Sequence, residues 1–180
     1  MRCLGIILLL ALVGCEPDTI SHTVVDDTAR PIKIDPDGSI TAAVTRVLDG
    51  DTIAIQHDGK EQIIRLDGID CPETRGDGGQ PFAKEATELT TKLCSQHDVV
   101  IVQTGKHYDR WVAFVLLANG EFLQHELLRA GLAHHARKYS DSEEMQAMED
   151  EAKRQRVGLW SDPNPIDPED WRAGIRQLRH

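Results

Sequence analysis

The sequence predicts a mixed α+β domain, a five-stranded OB-fold β-barrel with about three α-helices, and three observations carry that expectation. Three β-rich segments follow one another between residues 40 and 66, an amphipathic helix separates them from two further apolar runs, and helical segments close the domain. Five short strands that close on themselves leave few exposed edges. A length of 180 residues suits one domain with extensions that buries its core without crosslinks.

Residues 1–14 stand outside that domain. Arg2 supplies a positive start, residues 4–13 an apolar run, and Leu12-Val13-Gly14-Cys15 resembles the lipobox of bacterial lipoproteins. The run is short for a bilayer span, which takes about 20 residues. The expectation is export across the inner membrane, cleavage before Cys15 and lipidation of that cysteine, tying the protein to the cell envelope; an ordinary secretory signal and an uncleaved anchor are the other readings. Glu16 is not the aspartate that marks inner-membrane retention in some lipoproteins, which favours the outer membrane in a Gram-negative source. Residues 15–39 are polar and carry Pro17, Pro31 and Pro36, the composition of an extended tether. A short strand at 23–25 is the one ordered segment the tether has room for.

The domain is read as residues 40–172. Residues 40–47 alternate towards a first strand. Two apolar runs around Ile53 and Ile63 then flank Asp58-Gly59, residues that tolerate positive φ and so mark a tight hairpin. Residues 74–80 form a glycine-rich loop. Pro81 suits a helix's first turn, and Phe82, Ala86, Leu89 and Leu93 recur at helical spacing, which predicts a helix over 81–94. Residues 99–103 and 111–117 are apolar strands joined by a loop at 105–110. A helix over 122–130 directs Leu123, Leu127 and Leu128 inward and ends at Gly131. Asp141 or Ser142 caps a longer helix with Glu143 and Glu144 at its positive end, Lys153, Arg154 and Arg156 at its negative end, and a buried stripe of Met145, Met148, Ala152 and Leu159. The proline-rich stretch after it lies against the domain through Trp171, and residues 173–180 form a tail.

Charge narrows the function. A formal net charge of -10 argues against a protein that coats nucleic acid, whose affinity comes largely from neutralised phosphates. Any contact with a polyanion must be local, and a divalent cation would relieve the repulsion. Folding of the hairpin brings Asp51 towards Asp70, with Arg65 and Glu73 nearby. Carboxylates are hard oxygen donors of the kind Ca²⁺ takes, whereas no His or Cys ligands stand at zinc spacing. Acidic turns are also ordinary turn chemistry. Arg65 lies inside a strand of apolar neighbours, and Arg110 opens a later strand; two guanidinium forks opposite a carboxylate-bound cation would clamp a phosphodiester, although either arginine alone reads as an ordinary ion pair. His107, His125, His134 and His135 read as surface or packing residues. In an oxidising compartment Cys71 and Cys94 form an even pair; a disulfide and two separately buried thiols are both open.

Three segments carry a resemblance: Val47-Leu-Asp-Gly-Asp-Thr52, Arg65-Leu-Asp-Gly-Ile-Asp-Cys-Pro-Glu73 and Tyr108-Asp-Arg-Trp-Val-Ala113. In order and spacing they are similar to the active-site segments of the staphylococcal nuclease (thermonuclease) family. The likeness continues through Gly79-Gln-Pro-Phe82, Leu128-Arg-Ala-Gly-Leu-Ala133, Gly158-Leu-Trp160 and Pro163-Asn-Pro165 with Trp171.

That resemblance implies a Ca²⁺-dependent phosphodiesterase, an endonuclease acting on DNA and RNA with low sequence selectivity and leaving 3′-phosphate and 5′-hydroxyl ends. It makes Asp51, Asp70 and the Cys71 backbone carbonyl the Ca²⁺ ligands, Glu73 the residue that orients or deprotonates water, and Arg65 and Arg110 the clamp on the phosphate. Tyr108 and Tyr139 are implied contacts to a terminal phosphate or a stacked base. The chain departs from the family at Cys71, where a hydroxyl residue is commoner, at Lys106-His107, where an acidic residue is often found, and at Arg137, where the type enzyme has an aromatic. The chain is expected to act as a monomer. A noncatalytic nucleic-acid-binding module on the same barrel is the alternative, and retention of Asp51, Arg65, Asp70, Glu73 and Arg110 weighs against it.

Overall fold

A computed structural model of the protein describes residues 33–34, 38–76 and 78–176. The expected signal segment at 1–14, Cys15, the stretch at 23–25 and nearly all of the expected tether at 15–39 lie outside them. Among the described residues the chain runs through β1 (Lys33–Ile34), β2 (Ile40–Ala42), β3 (Val44–Asp49), β4 (Thr52–His57), β5 (Lys60–Leu66) and β6 (Ile69–Asp70). Helix α1 (Ala83–Cys94) leads to β7 (Val99–His107) and β8 (Arg110–Leu116). Helix α2 (Leu123–Arg129), β9 (His134–His135), α3 (Glu143–Gln155), a 3-10 turn (Gly158–Ser161) and α4 (Pro168–Arg172) complete it.

Seven strands form one sheet in the order β1-β2-β7-β8-β5-β4-β3. The residues expected as one strand at 40–47 pair in two directions, β2 with β7 and β3 with β4. β2 and β3 stand near opposite ends of the sheet, yet only Ala43 separates them in the chain. The sheet must therefore curl until its edges approach, which makes the half-barrel. Strand β5 pairs with β8 in parallel, the one parallel pair of the sheet among the described residues.

Inside lie Ile53, Ile55, Ile64, Leu66, Ile101 and Val115, each no more than 1% exposed. Full burial of such a side chain is worth about 1.5–3 kcal/mol relative to exposure. Leu123, Leu127 and Leu128 of α2 and Met145 of α3 cover the same core. Gln124 is buried among them because its amide donates to the Ala113 carbonyl at 3.0 Å and its oxygen accepts from the Val115 amide at 3.3 Å, locking α2 to β8.

Several boundaries differ from the expectation for local reasons. Helix α1 begins at Ala83, because Phe82 takes a left-handed φ of 68°, and Pro81 stays in the preceding turn. Of the expected stripe Phe82, Ala86, Leu89 and Leu93, Ala86 is buried and the other three are partly buried, while Ala83, Thr90 and Cys94 complete the buried face. The loop expected at 105–110 is mostly strand: β7 runs on to His107, and Tyr108, at φ 55°, turns the chain into β8. The proline-rich stretch contains a helix, α4, capped by Asp167, whose side chain accepts from the Glu169 amide. Ser142 caps α3. Gly131 does end α2's turn: at φ 66° a Cβ there would meet the Val157 carbonyl at 2.3 Å. Cys71 and Cys94 are buried free thiols, so the pair is unbridged.

Candidate active site

The site begins at the turn between β3 and β4. The Asp49 side chain accepts from the Asp51 amide at 3.3 Å, an Asx turn that reverses the chain. Gly50 is required there by crowding: a Cβ would lie 2.7 Å from the Ala86 Cβ and 2.9 Å from the Cys71 Cβ. Thr90 of α1 donates to the Gly50 carbonyl at 2.6 Å. The helix thus presses the turn, and Asp51 with it, into the protein.

Asp51 is 1% exposed. Its Oδ2 accepts from the Cys71 amide at 2.6 Å, and its Oδ1 accepts from the Thr52 hydroxyl at 3.0 Å and from Arg65. The same guanidinium donates to Asp70, so Arg65 joins the two carboxylates. Pairing of β4 with β5 sets Arg65 directly across from Thr52, and the Leu66 amide donates to the Asp51 carbonyl at 2.8 Å. Burial pushes the Asp51 carboxyl up to about 8, against the pull of Arg65. Burial also disfavours the Arg65 charge, but Asp51 and Asp70 outweigh it and hold the guanidinium more firmly protonated. The arginine keeps its charge, and Asp51 bears the cost of burial.

Asp70 and Glu73 lie on the outer side of this pair. Strand β6 sets Asp70 against His134 of β9. Glu73 opens the glycine-rich loop, whose conformation Gln80 holds: the Gln80 side chain accepts from the Glu73 amide at 3.0 Å and donates to the Ile166 carbonyl at 2.6 Å. Trp171 is 8% exposed, and its indole N–H donates to the Arg75 carbonyl at 3.3 Å. Next to it, Arg172 donates to Glu73 Oε1 at 2.5 Å and to Asp70 Oδ2 at 2.7 Å. The hydrogen bond to Asp70, with the Glu73 contact, raises the Arg172 pKa despite partial burial.

The structure therefore gathers Asp51, Arg65, Asp70 and Glu73 at one end of the half-barrel. Arg110 is on the same outer face as Arg65, since Arg65 registers with Val112 and alternate residues of β8 share a face. It touches none of the carboxylates; its side-chain contact is to the His107 ring at 3.4 Å. Tyr108 projects from the β7–β8 turn at 83% exposure, and Tyr139 is 74% exposed. Cys71 meets Asp51 through its amide, while burial pushes its thiol well up, so the sulfur remains a neutral packing group.

Arg172 and Gln80 are site residues that sequence reasoning missed. Gln80 lies inside a segment that carried the resemblance, yet nothing about an isolated glutamine signals a loop brace. For Arg172 the usable signal was Asp167-Pro168, a capping residue followed by proline at the first helical position. His135 is buried in β9, its amide donating to Glu149 at 3.1 Å, and Glu149 in turn pairs with Lys153 at 2.7 Å.

The donor set fits a hard divalent cation. Asp51 and Asp70 converge on one cationic group, and the partly desolvated carboxylates outnumber the guanidiniums that face them. Among the described residues no three His, Cys, Asp or Glu side chains are disposed to hold a metal together. The carboxylates are drawn instead onto Arg65 and Arg172.

The model of the family described as staphylococcal nuclease homologue matches residues 63–162. A staphylococcal-like nuclease of Arabidopsis thaliana is 39% identical over 63% of this chain, which spans only 34% of that protein. An uncharacterized endonuclease of Escherichia coli O157:H7 is 33% identical over 74% of the chain and 85% of its own length. A thermonuclease of Staphylococcus hyicus is 33% identical, covering 67% of the chain and 76% of the relative. With the half-barrel and the carboxylate–arginine end on it, the chain belongs to the staphylococcal nuclease family.

Proposed function

We propose that this member of a nuclease family is a Ca²⁺-dependent phosphodiesterase that hydrolyses DNA and RNA with low sequence selectivity, leaving 3′-phosphate and 5′-hydroxyl ends. The observation that carries the reading is Arg65 joined to both Asp51 and Asp70, with Glu73 beside them. Asp51, Asp70 and the Cys71 carbonyl would hold the cation. When bound, Ca²⁺ supplies charge neutralisation at the phosphate. Glu73 orients the attacking water and takes its proton. Arg65 binds the phosphate oxygens and stabilises the charge that develops on them, and Arg110, on the same face, grips the phosphate from its other side. Tyr108 and Tyr139, both exposed, offer rings or hydroxyls to flanking nucleotides.

Purified protein should degrade single-stranded DNA with Ca²⁺ and stop when EGTA is added. Inactivity in Ca²⁺, or undiminished activity in a Glu73→Ala, Arg110→Ala double variant, would sink the mechanism. The same proposal places the mature enzyme at the cell envelope through a lipid on Cys15. Globomycin sensitivity and labelling by a palmitate analogue would test the anchor, and a mature form lacking Cys15 rules it out.

A further inference from the structure

Beyond the two clamp arginines, we infer that Arg172 is a positioning residue of this site, one that aims Glu73 while surrendering Asp70 to the cation. The inference rests on the role of Glu73 proposed above. Arg172 reaches three carboxylate oxygens: Glu73 Oε1 at 2.5 Å, Asp70 Oδ2 at 2.7 Å and Asp70 Oδ1 at 3.3 Å. It is the last residue of α4, which is fixed independently of these contacts by the Asp167 cap, by Trp171 on the Arg75 carbonyl, and by Gln80 on the Ile166 carbonyl. The guanidinium therefore arrives from an anchored helix.

The two halves of the contact have opposite relations to a cation. Lone pairs of Asp70 that would bind it are occupied by Arg65 and Arg172, so the Arg172–Asp70 contact competes with the cation. The Arg172–Glu73 contact does not, because Glu73 is needed as an oriented base. Arg172 is the more accessible of the two guanidiniums on Asp70, with a side chain 45% exposed against 24% for Arg65. It is the one free to yield. A residue that supported the site only structurally would help cation binding and catalysis alike. Arg172 should oppose the first and favour the second.

The test compares wild type, Arg172→Gln, Glu73→Gln and the double variant. Ca²⁺ affinity comes from calorimetry without substrate, kcat and KM from cleavage of single-stranded DNA, and folding from thermal melts. Arg172→Gln should bind Ca²⁺ at least as tightly as wild type, with kcat lower by about 10- to 100-fold and KM unchanged, the usual scale for losing a partner that orients a reacting group. In the Glu73→Gln background the Arg172→Gln change should cost no further kcat, since the arginine acts through that carboxylate. Arg172→Lys, which keeps the charge but reaches one carboxylate at a time, should fall between and serves if the glutamine variant melts early. Weaker Ca²⁺ binding, an additional loss in the double variant, or wild-type kcat in both Arg172 variants overturns the inference. Full loss in Glu73→Gln with none in the Arg172 variants overturns it alone; wild-type kcat in Glu73→Gln overturns the role of Glu73 as well.

Discussion

The side-chain amide of Gln80 donates to the carbonyl of Ile166 at 2.6 Å, across 86 residues of chain. Its oxygen holds the Glu73 amide, so one buried glutamine ties the loop that begins at Glu73 to the segment that carries Arg172. Gln80→Leu leaves the partly buried Glu73 amide and Ile166 carbonyl without these partners. It should cost about 1–3 kcal/mol of stability. Urea unfolding would measure that loss, and the same variant should cleave more slowly because Glu73 is less well held.

Gly50 makes a separate demand on the fold. Its φ is ordinary, and the objection to a side chain is purely steric, from Ala86 and Cys71. Gly50→Ala should destabilise by about 1–3 kcal/mol, the cost of overpacking. A thermal melt would register it, whereas Gly59→Ala, in an open hairpin turn, should show the effect of positive φ without any clash.

Arg65 and Arg110 should separate on stability. Arg65→Gln takes the guanidinium away from both Asp51 and Asp70, and leaving a buried carboxyl short of a hydrogen-bond partner costs about 1–3 kcal/mol. Arg110→Gln removes one contact, to His107, and should leave the melt nearly unchanged. Both should lower the cleavage rate by about 10²- to 10³-fold. An Arg110 variant that melts as early as the Arg65 variant would contradict this assignment.

Asp51 predicts a pH dependence. Its carboxyl is raised from 3.8 to about 8 by burial, so the folded, cation-free protein binds this proton more tightly than the unfolded chain does. That contribution to stability is present below the unfolded value and is lost as pH rises through about 8. Ca²⁺ needs the ionised form. Ca²⁺ affinity should therefore rise with pH up to that range, with proton release on binding near neutrality. Titrations in buffers of different ionisation enthalpy would show the proton, and an affinity independent of pH between 6 and 8 would contradict the placement of Asp51.

Much of the barrel and most of the site were legible in sequence. Asp58-Gly59 announced its hairpin, apolar runs announced β4, β5, β7 and β8, and helical spacing announced α2 and α3, because these signals act over a few neighbouring residues. The carboxylates and Arg65 were legible for a similar reason: one hairpin and the turn after it carry them all. The bend at Ala43 was not, since what divides residues 40–47 is the choice of different partners by its two halves. Nor was the left-handed Phe82 that delays α1, or the burial of Glu149, which depends on Lys153 and the His135 amide.

By itself, then, the sequence determined the kinds of elements, the order of the acidic and arginine segments, and the family to which they belong. Only the tertiary structure decided which guanidinium faces which carboxylate. Arg172 reaches Glu73 across 99 residues, and Arg65 reaches Asp51 across 14. The shorter separation lies within one hairpin, whose register local chemistry dictates. The longer one exists because Trp171 on the Arg75 carbonyl and Gln80 on the Ile166 carbonyl bring the last helix back to the loop that follows β6, and no local pattern encodes that closure.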